Sequence, residues 1–431
     1  MGDGTRGWRR QQAKAAARVA LVDGEPLVVG LDLAESGHQA RLETAAGMPL
    51  MQAMLRTTAQ TERWWSEVEQ RRRDGQPVLV GMEPTGVTWK LIWAEVSARG
   101  YRPLLVQPLA VRRAGEQLDY QRAKSDPRDA ELICHLVRQG DVTRTRLLDE
   151  PWASLRSLAT KRWQLCRQQG AAQQEIRSLL QLAFPAYLSA VRTLDGLTSQ
   201  AMLRAGVDPL RLQEISLEAW TTEVRDHLVG TNRMWRRLVA TVHRAAEEPG
   251  GLASERHAAL WRIGDAVERW QLLQRQIAGL DAELIRLLEQ TPYVHIARGI
   301  RGLSTAMLAA LVGLIGDPRD YDSGRCVVRL AGLNPRPWSS GGFVGRTMLS
   351  YAGRVELRTV AHQAALSLLV HDPAFRARYR YLTTRTQRPL AARQAICALA
   401  AKLLRTVWCL AVSGTSYDRT RAWPGGMPLA A

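Results

Sequence analysis

Two short apolar runs, PLVVGLD (26–32) and PVLVGME (77–83), each end in a single carboxylate, Asp32 and Glu83. Runs this apolar and this rich in β-branched residues suit strands buried on both faces, in a sheet covered by helices. They predict an α/β domain in which two neighbouring strands each terminate in an acid. Two more acids, Asp126 and Asp129 in KSDPRDAEL, are three residues apart at the start of an expected helix, so they share one face. Asp126 is placed to cap that helix and Pro127 to occupy its first turn. Each acid alone has an ordinary explanation as a turn or cap residue. Together they form a set that repels itself unless a cation neutralises it, and hard oxygen donors select Mg²⁺ or Mn²⁺. In-line phosphoryl displacement uses two such ions about 3.5–4 Å apart, flanked by carboxylates.

The remainder of the region from about 26 to 145 alternates in the same manner. HQARLE and PLMQAML read as the second and third strands, joined by a turn around Ala45–Pro49. TTAQTERWWSEVEQRRRDG reads as a helix closed by Gly75. TGVTWKLIWAEVSARG reads as a helix capped by Thr85 and stopped by Gly100, and YRPLLVQ as a fifth strand. Three consecutive strands followed by strand–helix alternation predict a mixed sheet.

Past Pro151 the strand signal disappears. A long helix, or a broken pair, is expected from Pro151 to about Pro185. Between Ser254 and Gln290 a heptad-like seam runs through Ile263, Val267, Trp270, Leu273, Ile277, Leu280, Leu284 and Leu287. Two partners suit it: helices of the same domain, or a second chain in an intermolecular coiled coil. Residues from about 185 to 250 read as helical and irregular. From Tyr293 the chain is Gly-punctuated, then apolar. The turn at Gly299 and Gly302 ahead of Ser304 suits a phosphate at a helix start or simple helix-hairpin packing. FRARYRYLTTRTQRPLAARQ (375–394) mixes Arg with Tyr, as nucleic-acid surfaces and solvated helix faces both do. The apolar stretch from Ala395 to Gly414 reads as a closing core helix, and no run is read as long enough to span a membrane.

Charge sets the class of partner. Lys and Arg number 59 against 41 Asp and Glu, a formal net charge of +18, which favours a polyanion and nucleic acid in particular. Five scattered cysteines without a CxxC pair argue against a disulfide framework and against a structural zinc site. They suit buried thiols in a reducing cytosol. Residues 1–25 read as a basic flexible arm rather than a signal peptide.

The loop GLNPRPWSSGG holds Ser340, with Ser339 as its immediate rival. A serine attacking phosphorus requires cationic donors nearby, and Arg336, Arg346, Arg354 and Arg358 are adjacent in sequence. Lys124 precedes the paired acids and Arg128 lies between them, two further candidate nucleic-acid contacts.

These motifs resemble the DEDD transposases of bacterial insertion sequences, family 110 (the 110/116/902 group). The likeness runs from about Leu27 to Ser413. The D…E…DxxD pattern of that family falls on Asp32, Glu83, Asp126 and Asp129, with Lys124 at its basic position. Its GIG-like turn corresponds to GIRGLS, and its AGLxP…SG…G…LR signature to AGLNPRPWSSGG…YAGRVELR. The serine before the glycine is the usual nucleophile of the family, which selects Ser340. One departure is Tyr351 after Ser350, where the family commonly has Lys.

The resemblance implies an RNase H-like (RuvC-like) α/β domain over 26–150, a helical or coiled-coil oligomerisation region over 151–292, a mainly α transposase domain over 293–415, and a tail over 416–431. It implies a Mg²⁺-dependent recombinase with a phosphoserine intermediate, guided by a structured bridge RNA. Such an enzyme would act on element ends and target DNA as a dimer or tetramer in the bacterial cytoplasm, at the nucleoid, away from membrane. Two other readings compete: a RuvC-type nuclease that uses activated water with no covalent link, and a non-catalytic nucleic-acid-binding relative.

Overall fold

The computed structural model describes residues 25–118, 126–143, 147–230, 234–337 and 347–418. The basic arm, Lys124, Ser339, Ser340 and Arg346 lie outside them. The chain divides into two units, Met1–Leu148 and Asp149–Ala431.

The first unit runs β1 (Leu27–Ala34), β2 (Gly37–Glu43), β3 (Pro49–Leu55), α1 (Thr58–Arg71), β4 (Val78–Met82), α2 (Thr88–Ala98), β5 (Arg102–Leu105), α3 (Pro108–Leu118) and α4 (Asp126–Arg138). Its five-stranded sheet has the order β3-β2-β1-β4-β5. The first three strands form an antiparallel meander, and β4 and β5 run parallel to β1. This mixed sheet is consistent with a RuvC-like fold. Strand period 2 sorts β1 between two cores. Val29, Leu31 and Leu33 pack with Trp64, Trp65 and Val68 of α1 and with Trp93 and Val96 of α2. Val28 packs on the opposite face, with Leu79 of β4, Val111 of α3, and Ile133, Cys134 and Val137 of α4.

Two local features depart from the sequence reading. Thr85 does not cap α2. Its N–H donates to the Glu83 carbonyl at 2.8 Å, and Gly86 turns the chain at φ +55°. The helix therefore starts at Thr88, after Val87, which provides no side-chain cap. Helix α3, PLAVRRAGEQL, forms where the sequence carries no cap signal.

The second unit opens with α5 (Trp152–Ala183) and continues through the short helices α6 (Pro185–Ala190), α7 (Leu197–Ala205), α8 (Pro209–Glu214), α9 (Leu217–Asp226) and α10 (Trp235–Ala245). It then returns along the 34-residue α11 (Arg256–Glu289). Helices α5 and α11 are antiparallel partners. Arg162 donates to Asp281 at 3.2 Å near one end, and Glu175 pairs with Arg269 at 3.1 Å toward the other. Two cores sit at the ends of this pair. One gathers Ile176, Leu180, Trp220, Val239, Ile263, Val267 and Trp270 around the short helices. The other joins Leu155, Leu284, Leu287 and Leu288 to the C-terminal helices. The heptad-like seam thus packs within its own chain at both ends, with Ile277 and Leu280 half-buried between them.

The C-terminal part comprises α12 (His295–Gly299), α13 (Thr305–Ile315), a 3-10 turn (Pro318–Asp320), α14 (Gly324–Leu330), the hairpin β6 (Pro335–Pro337) and β7 (Thr347–Leu349), α15 (Val355–His371), α16 (Pro373–Thr384) and α17 (Ala392–Ser413). Helix α17 is long and apolar enough to cross a membrane by length and composition, which corrects the sequence reading. Its Leu399, Leu403, Leu404 and Val407 are core residues packed with α13 and α15. Gly299 and Gly302 have packing reasons for being glycine. A Cβ on Gly302, at φ +93°, would come within 2.7 Å of His371 Cβ, and one on Gly299 within 3.0 Å of Tyr417 Cβ. Ser304 caps α13, accepting from the Met307 N–H at 3.2 Å.

Candidate active site

The geometry begins with two glycines. Gly30 of β1 and Gly81 of β4 are register partners in the middle of the sheet. Helix α4 lies directly on them: a Cβ on Gly30 would be 2.2 Å from the Ala130 carbonyl oxygen, and one on Gly81 would be 2.4 Å from Val137 Cγ2. Only the missing side chains allow the helix this close.

The same contacts set the direction of the helix. Ala130 sits over Gly30, and the Cys134 thiol one turn on reaches the Val28 carbonyl at 3.9 Å. Helix α4 therefore runs opposite to β1, and its N-terminus overlies the C-terminal ends of β1 and β4. Asp32 lies two residues beyond Gly30, and Glu83 two beyond Gly81, so both belong to the face that α4 covers. Leu31 and Met82 are register partners, which makes Asp32 and Glu83 the next residues on adjoining parallel strands. Asp129 precedes Ala130 on α4, and Asp126 is the first residue of that helix. The backbone thus brings all four acids to one end of one sheet face.

Asp32, Glu83, Arg128 and Asp129 are half-buried, and each interacts with a neighbouring group. Among the described residues, no three His, Cys, Asp or Glu side chains are drawn tightly enough together to hold a metal ion. The side chain of Asp126 falls outside that description.

The far end of α4 is held by charge. Glu43, at the end of β2, is almost fully buried and pairs with Arg41 at 2.7 Å and with Arg138 in the last turn of α4. Arg41 also approaches Glu131 at 3.6 Å. Burial, then the Arg41 charge, holds the Arg138 guanidinium below its usual range. Sequence reasoning missed this trio, although an alternating strand ending in an inward-facing Glu was a readable signal. A separate cleft of about 610 Å³ lies between α3 and α4, lined by Gln107, Arg113, Gln117, His135 and Gln139 among others. Among the described residues, Asp32, Glu83 and Asp129 do not line it.

In the second unit, β6 and β7 pair antiparallel from Pro335↔Leu349 to Pro337↔Thr347, so they lead into and out of the segment that carries Ser339 and Ser340. The base of the hairpin is a main-chain clasp. A Cβ on Gly353 would be 2.4 Å from the Leu330 carbonyl oxygen, and one on Gly332, at φ +66°, 2.9 Å from the Tyr351 carbonyl carbon. The Tyr351 N–H donates to the Gly332 carbonyl at 3.1 Å, and the Arg354 N–H to the Leu330 carbonyl at 2.7 Å. Ser350 donates to the Asn334 side chain at 2.6 Å.

Two of the candidate phosphate clamps are engaged by main-chain carbonyls of this unit. Arg358 donates to the Ala331 carbonyl at 2.9 Å and lies 5.2 Å from the Tyr351 ring centre. Arg354 donates to the Leu314 carbonyl at 2.5 Å, while Arg156 reaches the Ile315 carbonyl at 3.2 Å. Together they cap the negative end of α13. Burial and the neighbouring Arg354 charge bring the Arg156 pKa down to about 10. Arg336 is exposed on β6. The AGLNP and YAGR motifs therefore have a structural explanation, as the two halves of one clasp.

A mixed sheet with acids at the ends of two adjoining strands, followed by a helical unit, belongs to a transposase class when joined to the sequence matches. Residues 29–185 match the DEDD transposase family of IS110 type, and residues 294–380 match the transposase family IS116/IS110/IS902. The chain belongs to the IS110 family of transposases. It is 23% identical over 406 residues to an IS110 insertion-element protein of 43.6 kDa from Streptomyces coelicolor, covering 94% of this chain and 98% of that one. It is also 32% identical over 152 residues to the candidate transposase y4pF/y4sB of Sinorhizobium fredii, covering 35% and 39% of the two chains.

Proposed function

We propose that this transposase cuts and rejoins DNA through a divalent-metal site formed by Asp32, Glu83, Asp126 and Asp129, with Ser340 as the nucleophile. One observation carries this reading: the Gly30–Gly81 contact with α4 directs the four acids to one end of one sheet face. That donor set is all carboxylate oxygen, which suits Mg²⁺ or Mn²⁺ rather than a soft metal. When bound, the ion supplies charge neutralisation at the scissile phosphate. The acids hold their positions on rigid elements, and Asp129 and Asp126 ride on a helix pinned at both ends.

Ser340 Oγ attacks phosphorus and its proton passes to a base or water. The new Oγ–P bond replaces the P–O bond to the leaving nucleotide, whose oxygen takes up a proton. An incoming DNA hydroxyl then reverses the exchange and frees the serine, so no oxidant or energy source is consumed. The clasp at Gly332 and Gly353 fixes β6 and β7, between which Ser340 lies in sequence. Family likeness supports a structured guide RNA and a homo-oligomeric assembly in the cytoplasm, in which one protomer's acids meet its partner's serine.

The test is covalent trapping on supercoiled DNA carrying the element ends. Wild-type protein should yield a protein–DNA adduct whose linked peptide contains Ser340. The Ser340→Ala variant should yield none and should not exchange strands. Cutting that persists in Ser340→Ala but vanishes in Asp32→Ala would replace this reading with hydrolysis by activated water.

A further inference from the structure

Strand β2 presents a row of polar side chains to α4. Its register with β1 sets Glu43 beside Val28, Arg41 beside Gly30 and Gln39 beside Asp32. The alternate residues, Ala40 and Leu42, belong to the core on the opposite face. Two members of the row have partners on α4: Glu43 pairs with Arg138 in the last turn, and Arg41 approaches Glu131 at 3.6 Å. Those contacts fix the direction in which the row points. Gln39 continues it by one strand period, toward the end of the sheet where the acids gather.

Gln39 is only 6% exposed, so its carboxamide has little access to water. Buried amides in folded proteins are hydrogen-bonded. Directly opposed residues on one face of an antiparallel pair have Cβ atoms about 4.5–5.5 Å apart, within reach of a side chain as long as Gln. On the β1 side that neighbour is Asp32. On the β3 side it is Met54, whose thioether is a weak acceptor. Across the sheet, the strong acceptor beside Gln39 is therefore the Asp32 carboxylate.

We propose that Gln39 is a positioning residue: its side-chain N–H donates to the Asp32 carboxylate and holds that group in the orientation that binds a divalent ion. The inference deepens the proposed function and rests on it. A carboxamide suits the task because it is neutral. It orients the acid without neutralising it, whereas a Lys or Arg side chain would compete with the ion for the same charge. Hydrogen-bond partners behind a metal ligand typically govern metal affinity by roughly 10–100-fold.

The experiment is Mn²⁺ binding by the full-length protein without DNA, with free Mn²⁺ followed by electron paramagnetic resonance. Gln39→Met keeps the length of the side chain and removes the donor, so Mn²⁺ should bind roughly 10–100-fold more weakly. The melting temperature without metal should hold, and its rise on adding Mn²⁺ should shrink. DNA cleavage should need more Mn²⁺ yet recover at saturation. A merely structural role would do the reverse, lowering the metal-free melting temperature and leaving the affinity alone. Gln39→Asn retains the amide and should restore most of the affinity. Gln39→Val, a good strand former, repeats the test if Gln39→Met melts early. Gln52→Met is the control, since Gln52 is exposed on β3 and meets Arg41 at 3.4 Å. Wild-type affinity in Gln39→Met overturns the positioning role, and the proposed function stands if Asp32→Ala still abolishes binding. Wild-type protein that binds no Mn²⁺, or undiminished binding by Asp32→Ala, overturns the metal site itself.

Discussion

The acids and the serine segment are mounted in contrasting ways. Asp32 and Asp129 ride on an eight-residue strand and a thirteen-residue helix, and Glu83 directly follows a five-residue strand. The segment with Ser340 hangs between two strands of three residues each. In the first unit, placement follows from the period of regular elements and from how closely a helix can approach a sheet. In the second, main-chain contacts fix the two strands on either side of that segment. Both regions rely on a glycine pair, Gly30 with Gly81 and Gly332 with Gly353, but the first pair admits a helix and the second admits another stretch of backbone. Regular elements fix the backbone beside the acids, whereas main-chain contacts fix the strands on either side of the serine segment.

The contrast can be broken most sharply at the acids. Asp32→Ala should lower DNA cleavage by on the order of 10³-fold or more, with the melting temperature held, as measured on supercoiled substrate. A variant that still cuts at the wild-type rate would detach the sheet end from the chemistry.

Gly30→Ala comes next. The added methyl meets the Ala130 carbonyl and should cost about 3 kcal/mol in urea unfolding, the upper end for overpacking. It should also lift α4 and expose the Cys134 thiol, which is fully buried in the wild type, to alkylation. Gly353→Ala should cost about 2 kcal/mol and impair strand exchange, yet leave Cys134 protected. If both variants unmask Cys134, the two mountings are not independent.

Alkaline pH probes the first mounting more gently. Burial pushes the Cys134 thiol up to about 12, whereas an unfolded thiol titrates at about 8.5. Between those values the unfolded state binds fewer protons than the folded state, so stability declines as pH rises. Cys134→Ala should remove that part of the decline in a series of denaturation curves.

The smallest effect is expected at Tyr351, which adopts φ +48°. Tyr351→Gly relieves that strain but loses the Arg358–ring contact, terms of about 1 kcal/mol each, and the melting temperature should barely move. A large loss would mean that the ring has a role in the clasp beyond covering Arg358.

Periodicity made the sheet and the four acids legible. PLVVGLD and PVLVGME announce buried strands, and DPRDAEL announces a helix start, because burial and helical spacing leave local marks. Other features left weaker marks. PLAVRRAGEQL lacks a cap signal, so α3 went unread. Thr85 looked like a cap, but the turn at Gly86 delays the helix. The seam from Ile263 to Leu287 marked α11 without revealing that α5 of the same chain was its partner, since a heptad pattern records an apolar stripe and not the identity of what covers it.

By itself the sequence determined which residues are acids, cations and glycines, and which runs are strands or helices, because those depend on neighbours a few positions apart. Tertiary structure alone decided that Gly30 and Gly81 lie under one helix, and that Arg354 and Arg358 are held by carbonyls of their own fold. Those are contacts between segments distant along the chain, and only the packing of the whole core brings them together.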